Sequence, residues 1–425
     1  MAREIQQNRA AYGCFLILPL KYDSGSLNRS RLTQLGGPIR MTTMDLNENV
    51  KAMLEPPGKA AVGAGYAVDI EALLAPLTAQ GAPGPGNAFM VDDGQESFPF
   101  EVENSFLYVF HTRVAFLCLS LSFARMEALS AICNPGWAHN GASFSRLGPV
   151  GERQAVSMER WLSDFLTPLG LRKFFDGDSS FLLDAYAYIF TVVPKWFDEL
   201  EPLRNIAFNL HKMVSPDSPV QDDAEEDIRY VYAAKNRQAN AYRWGCCITS
   251  QTISYVVADE AMDFAAERAT QAADGLPVVL LSLYEKYTCL RFTELITQMK
   301  KSQIKELKEL MLNFQAFGTV TPANLSRWHN VKQIYAALLE VNDIPTAVRD
   351  VSAKLSILTS HQEALSRARS EAIMNLITLF GIVSILASVL SIVQILSSGN
   401  TLFWASTILT TVMLALLTAV AILRR

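Results

Sequence analysis

The chain has 425 residues, half of them hydrophobic, and a formal net charge of −5, a balance from which no direct nucleic-acid binding is expected. Its six cysteines form no C-x-x-C pair and its five histidines show no ligand spacing with them. A reduced, cytosolic main body without structural zinc is therefore expected.

In chain order, Tyr12–Leu20 reads as a first strand, because its apolar stretch is short and no small-residue cleavage site follows it convincingly. PPG at 56–58 and GAPGPG at 81–86 mark loops, and the second lacks the Lys-Ser/Thr pair of a phosphate-binding loop. From Ser105 to Phe123, aromatic and β-branched residues predict two strands around His111-Thr112-Arg113. Ala155, Met158, Trp161, Leu162, Phe165 and Leu166 recur at helical spacing and predict a helix from about Glu152 to Thr167, ended by Pro168. Ala185–Val193 alternates and stops at Pro194 as a strand, and Tyr230–Ala233 and Cys246–Val257 are the last strand candidates. Residues 1–275 thus predict a cytosolic α/β domain whose sheet order local patterning leaves open.

Within it, Asp222, Asp223, Glu225, Glu226 and Asp227 form an acidic run. A solvated loop explains it, and clustered carboxylates also suit a sensing site for Mg²⁺ or another divalent cation. No G-x-S-x-G elbow, H-E-x-x-H pair or kinase signature is present, so no enzyme is expected. His111 reads as a packed or hydrogen-bonded residue. Tyr242, Trp244, Cys246 and Cys247 read as domain core, with a ligand cavity as the alternative.

Residues 276–372 turn helical and predict a stalk. Pro277–Ala316 predicts an exterior helix with a packed stripe that includes Leu290, Phe292, Leu295, Ile304, Leu307 and Leu310. The turn Phe317–Pro322 breaks it, and a second helical region begins near Asn324 with a bend expected at Pro345. No Pro or Gly occurs from Thr346 until Gly381, which predicts one helix of roughly 50 residues, about 75 Å long. Alone it would bury too little, so self-association into a bundle is expected.

Residues 373–425 predict a transmembrane hairpin. Ile373–Leu396 and Thr401–Leu423 are uncharged runs of 24 and 23 residues, and the shorter makes a helix of roughly 34 Å against a hydrocarbon core of about 30 Å. Only Ser397–Asn400 separate them, and Arg367, Arg369, Arg424 and Arg425 flank the outer ends. Both termini are therefore expected on the cytoplasmic side of the inner membrane. At 100° per residue, Gly381, Ser384, Ser388, Ser391 and Ser398 share an arc of roughly 100°. Such a stripe suits pore lining in a symmetric bundle and equally suits close helix packing; periodicity does not choose between them. Asn375 falls on the opposite side, and the second helix reads as a lipid-facing partner.

An α/β domain, long paired helices, a stalk helix running into the first membrane helix, a short outer turn and a second membrane helix with a basic end together resemble the CorA-type divalent-cation transporters. The likeness is best over about 280–425. It implies a funnel-shaped homopentamer with the first membrane helix lining the pore, and a pore mouth at Gly399 and Asn400. There the family has a Gly-Met-Asn motif that helps bind hydrated Mg²⁺, whereas this chain has Ser397-Ser398-Gly399-Asn400 without the methionine. The turn also lacks the family's acidic loop. Some divergent members resemble nucleotide-signal-activated membrane effectors of prokaryotic antiviral defence. The expected function is an oligomeric membrane ion channel or transporter, not strictly Mg²⁺-selective, gated by its cytosolic domain through a bound cation, a nucleotide ligand or another small-molecule activator. Its rival is a membrane-anchored receptor or scaffold without ion flux.

Overall fold

The structure, a computed structural model, describes residues 11–43, 45–55, 61–79, 86–133, 142–148, 152–177, 180–194, 196–220, 227–298, 303–396, 404–405, 408–410 and 412. Residues Met1–Val351 group into one compact unit and Ser352–Arg425 into another.

The first unit is built on one mixed sheet. Its strands are β1 (Tyr12–Lys21), β2 (Gly63–Val68), β3 (Ala88–Asp92), β4 (Ser97–Phe110), β5 (Val114–Phe123), β6 (Ser143–Leu147), β7 (Arg153–Val156), β8 (Arg172–Lys173), β9 (Tyr186–Val193), β10 (Arg229–Tyr232), β11 (Trp244–Ile248) and β12 (Thr252–Ala258). The order is β10-β11-β12-β9-β1-β5-β4-β3-β6-β7, with β2 paired to β4 and β8 to β1. Only β9 and β12 run parallel among these pairs; the other pairings are antiparallel. Parallel neighbours require a crossover, and the chain makes it through the helix Leu200–His211 and the β10-β11 hairpin.

Helices are α1 (Arg29–Leu35), α2 (Glu48–Leu54), α3 (Ile70–Ala79), α4 (Met126–Cys133), α5 (Met158–Leu166), α6 (Leu200–His211), α7 (Phe264–Thr270), α8 (Leu276–Gln298), α9 (Ile304–Asn313), α10 (Pro322–Leu325), α11 (His329–Val341) and α12 (Ile344–Leu396). The near-continuous apolar run of β1 is explained by burial on both faces of the sheet. On one face Cys14, Leu16 and Leu18 sit opposite Leu121, Leu119 and Leu117 and share a core with Leu73, Trp161, Phe165 and Phe208 from the covering helices. Trp161 donates its indole N–H to the carbonyl of Leu73 at 2.8 Å, so the largest buried ring carries no unpaired donor. The other face is covered by α8, where Tyr284 stacks on Phe110 at 4.1 Å and Tyr287 meets Phe116 edge-on at 5.7 Å.

The strands expected at Tyr12–Leu20, around His111–Arg113 and at Ala185–Val193 are present. Cys246–Val257 resolves into β11 and β12, joined by a turn at 249–251 in which the Thr249 side chain accepts from the Gln251 and Thr252 amides. Three expectations need correction. The helix expected from Glu152 begins at Met158, because Arg153–Val156 pairs with β6 as a strand and Ser157 caps the helix by accepting from the Arg160 amide. The expected exterior helix is a core helix instead: α8 is buried nearly all the way round from Leu276 to Cys289, because it lies against the sheet and under α11. Pro345 does not bend a helix but starts one, since α12 begins at Ile344 and the first turn has no amide to lose.

Candidate functional site

The second unit is dominated by α12, 53 residues and about 80 Å long, the rest of whose course lies in the first unit. Among the described residues it is the helix long and apolar enough to cross a membrane. Ile373, Leu376, Ile377, Ile382, Ile385 and Leu386 are all exposed and distributed around it. Thr401–Leu423 falls largely outside the described residues, so the structure presents one candidate span where two were expected.

Gly381, Ser384, Ser388 and Ser391 lie on α12 and are exposed. Ser388 donates its hydroxyl to the Ser384 carbonyl and Ser391 to the Ala387 carbonyl, each at 2.8 Å. Hydroxyls satisfied within their own helix tolerate hydrocarbon, so these bonds are compatible with packing and with pore lining alike. Ser398, Gly399 and Asn400 lie outside the described residues, as do Asp222, Asp223, Glu225 and Glu226. Asp227 is exposed, two residues before β10. Among the described residues no group of three or more His, Cys, Asp or Glu is placed to hold a metal ion.

The first unit holds a cavity of about 230 Å³ between the α8 face of the sheet, the start of α8 and the start of α11. The sheet contributes Tyr188, Trp244 and Tyr255, with Trp244 and Tyr255 stacked at 5.1 Å. Its floor is a π-helical turn, Gln271–Gly275, inserted between α7 and α8. Such wide turns recur at functional sites because they break the regular bonding of the helix. A side chain at Gly275 would place its Cβ 2.1 Å from the Tyr188 hydroxyl, so only glycine admits this approach. The Tyr188 hydroxyl donates to Gln271 Oε1, and Gln271 donates onward to Glu267.

Two carboxylates, Asp45 and Asp274, also line this cavity, and no Lys, Arg or His does. Burial, with the neighbouring charge of Asp274, pushes the Asp45 carboxyl above its usual range. Burial likewise raises Glu267, against the hydrogen bond from Gln271. The cavity wall is tied to the chain leading into α12. Glu285 of α8 accepts the Tyr335 hydroxyl of α11 at 2.7 Å, and Lys286 donates to Asn342 Oδ1, in the turn before α12, at 2.7 Å.

Of the aromatic and thiol patch expected to be core, Cys246 and Cys247 are fully buried and Trp244 lines the cavity. Asp45, Asp274 and Trp328 carry no local motif that marks them as a site in the sequence. His111 donates its Nδ1–H to the Val62 carbonyl at 2.6 Å, as a hydrogen-bonded residue at a strand end. The chain matches no family model and no curated protein.

Proposed function

We propose that the chain works as a homo-oligomeric membrane ion channel of CorA-like type, gated by its sheet domain and not strictly selective for Mg²⁺. The observation that carries this reading is α12 itself. It is unbroken from Ile344 to Leu396 and exposes large apolar side chains around its circumference from Ile373 onward. Apolar exposure on that scale calls for lipid and for neighbouring helices, and the neighbours most readily supplied are copies of the same helix. Five copies follow from the resemblance alone. A hydroxyl and small-residue stripe without carboxylates would discriminate poorly among cations, so such a pore is normally shut. The link from α8 through Tyr335 and Asn342 to the start of α12 is a path along which the sheet domain acts on the pore.

The test is flux in liposomes with Mg²⁺, K⁺ and Na⁺, alongside mass measurement of the intact complex. Replacing Ser388 with leucine is expected to lower flux on the order of ten-fold, by filling a narrow hydrated path, while the oligomer mass is unchanged. A monomeric mass rejects the bundle. An oligomer that conducts no cation in any condition turns the stripe into packing surface and favours the receptor or scaffold, a reading to which the internally satisfied Ser388 and Ser391 hydroxyls are equally suited. Strong Mg²⁺ preference would overturn the expectation of poor selectivity.

A further inference from the structure

The cavity under α11 has a chemistry that selects its occupant. Its polar charge is of one sign: Asp45 and Asp274 line it without a basic partner among the lining residues, and no hydrogen bond or ion pair reaches either carboxylate among the described residues. Its walls are aromatic, with the stacked Trp244 and Tyr255 on the sheet side and Trp328, half exposed, at the start of α11. Arg327, whose guanidinium lies 4.8 Å from the Trp328 ring centroid, does not line the cavity. Aromatic faces attract cations by their quadrupole.

We infer that this cavity binds a small organic ammonium ion, its charge held between the aromatic rings and the carboxylates of Asp45 and Asp274 and its carbon skeleton against Val331 and Ile334. Three other ligand classes fit less well. A nucleotide would bring phosphates to a lining that holds no Lys or Arg. Mg²⁺ requires near-octahedral oxygen ligation, and no metal-holding group of side chains occurs among the described residues. A drug-sized molecule needs roughly 300–1,000 Å³, whereas this cavity has about 230 Å³.

The position of the cavity gives the occupant a consequence. Trp328 and Ile334 stand at and near the start of α11, and two residues, Asn342 and Asp343, separate the end of α11 from α12. An occupant braces α11 against the π-helical turn, and so biases the helix that leads into the membrane span. This regulatory part rests on the channel reading above; the binding itself does not.

The full chain in detergent is titrated with spermidine and with tetramethylammonium, at constant ionic strength, following tryptophan fluorescence and heat of binding. Mg²⁺ and ATP are the contrasting probes. The expected result is saturable quenching by at least one ammonium probe, weakened ten-fold or more in Asp45→Asn/Asp274→Asn and in Trp328→Leu, with the oligomer mass and melting midpoint retained. Trp244→Leu is expected to weaken binding too, and Trp328→Leu stands in for it if loss of the Tyr255 stack unfolds the domain. No saturable binding of either ammonium probe overturns the inference. So does binding that the carboxylate pair leaves unchanged, or tighter binding of ATP that the same variants abolish. Cation flux unaltered by a bound ammonium overturns the regulatory part alone, and ammonium binding by a protein that conducts nothing overturns the channel reading alone.

Discussion

Replacing Glu294 with alanine is expected to destabilise the sheet domain by about 3 kcal/mol, the scale for removing one partner from a buried charge network. Glu294 stands between two cations that are each 1% exposed, Lys21 on β1 and Arg291 on α8. Its two oxygens accept from Lys21 Nζ at 2.6 Å and from an Arg291 terminal nitrogen at 2.7 Å. The remaining carboxylate partners, Asp176 for Lys21 and Asp23 for Arg291, are largely exposed and are shared with Arg172, so solvent weakens their hold; Arg291 also donates to the Tyr22 carbonyl at 3.2 Å. Burial alone would raise the Glu294 carboxyl; the hydrogen bonds from Lys21 and Arg291 outweigh it and hold the group below its usual range. The contribution of a carboxyl lowered in this way is complete above the unfolded carboxylate range and is lost as pH falls through the lowered folded value.

Thermal or denaturant unfolding of the full chain in detergent reads this out near neutral pH. Glu294→Gln keeps one acceptor and removes the charge, and its loss should fall between wild type and Glu294→Ala. Asp176→Ala, at the exposed end of the same network, should cost less than about 1 kcal/mol. Equal losses for Glu294→Ala and Asp176→Ala would mean that burial does not set the strength of these pairs. The network also ties the end of β1 to α8, so its loss is expected to loosen the helix that covers the sheet.

Glu285 is expected to make the domain more stable in mild acid than in mild base, opposite in sign to the Glu294 contribution. It is 4% exposed and accepts from the Val320 amide at 2.9 Å and from the Tyr335 hydroxyl at 2.7 Å, both neutral donors. Burial dominates these two bonds and lifts its pKa from 4.5 to about 7. The folded state therefore holds a proton more tightly than the unfolded chain, and stability falls as pH rises from about 4.5 to about 7 and is level above that. The whole swing is about 3 kcal/mol. Glu285→Gln preserves an acceptor without the charge, so its stability advantage over wild type should be largest at pH above about 8 and shrink by about 3 kcal/mol towards pH 4. A difference between the two proteins that does not change with pH would show that folding leaves the proton affinity of the Glu285 carboxyl unaltered. Because Glu285 reaches Tyr335 on α11, the same titration is a point at which pH bears on the approach to α12.

Much of the fold was legible from local patterning. The apolar runs of β1 and β9 and the β4-β5 hairpin at His111–Arg113 stand close to where alternation and breakers put them, because strand and turn preferences act over a few residues. The unbroken course of α12 follows from a long stretch free of Pro and Gly, and its capacity to span a bilayer follows from length and apolarity alone. The serine stripe on α12 is fixed in phase by helical geometry once the helix exists, though its partner, whether water or another helix, is not. The run Leu119-Ser120-Leu121-Ser122 would suggest a half-exposed strand, yet both serines are buried, and Ser122 donates to Glu103 at 2.8 Å.

The tertiary structure alone decided the rest. It set β1 at the centre of the sheet and paired β9 in parallel with β12, since strand order depends on which apolar faces meet across long sequence separations. It turned Leu276–Cys289 from an exterior helix into a core helix, because a stripe of apolar residues reports that one face leaves water but not that a sheet and a further helix cover the others as well. The cavity is assembled from Asp45, the β11-β12 pair, the π-helical turn and the start of α11, segments spread over nearly 300 residues of chain. No periodicity links them, because what makes them a site is their meeting around one volume, and that meeting exists only once the sheet has ordered the elements that carry them.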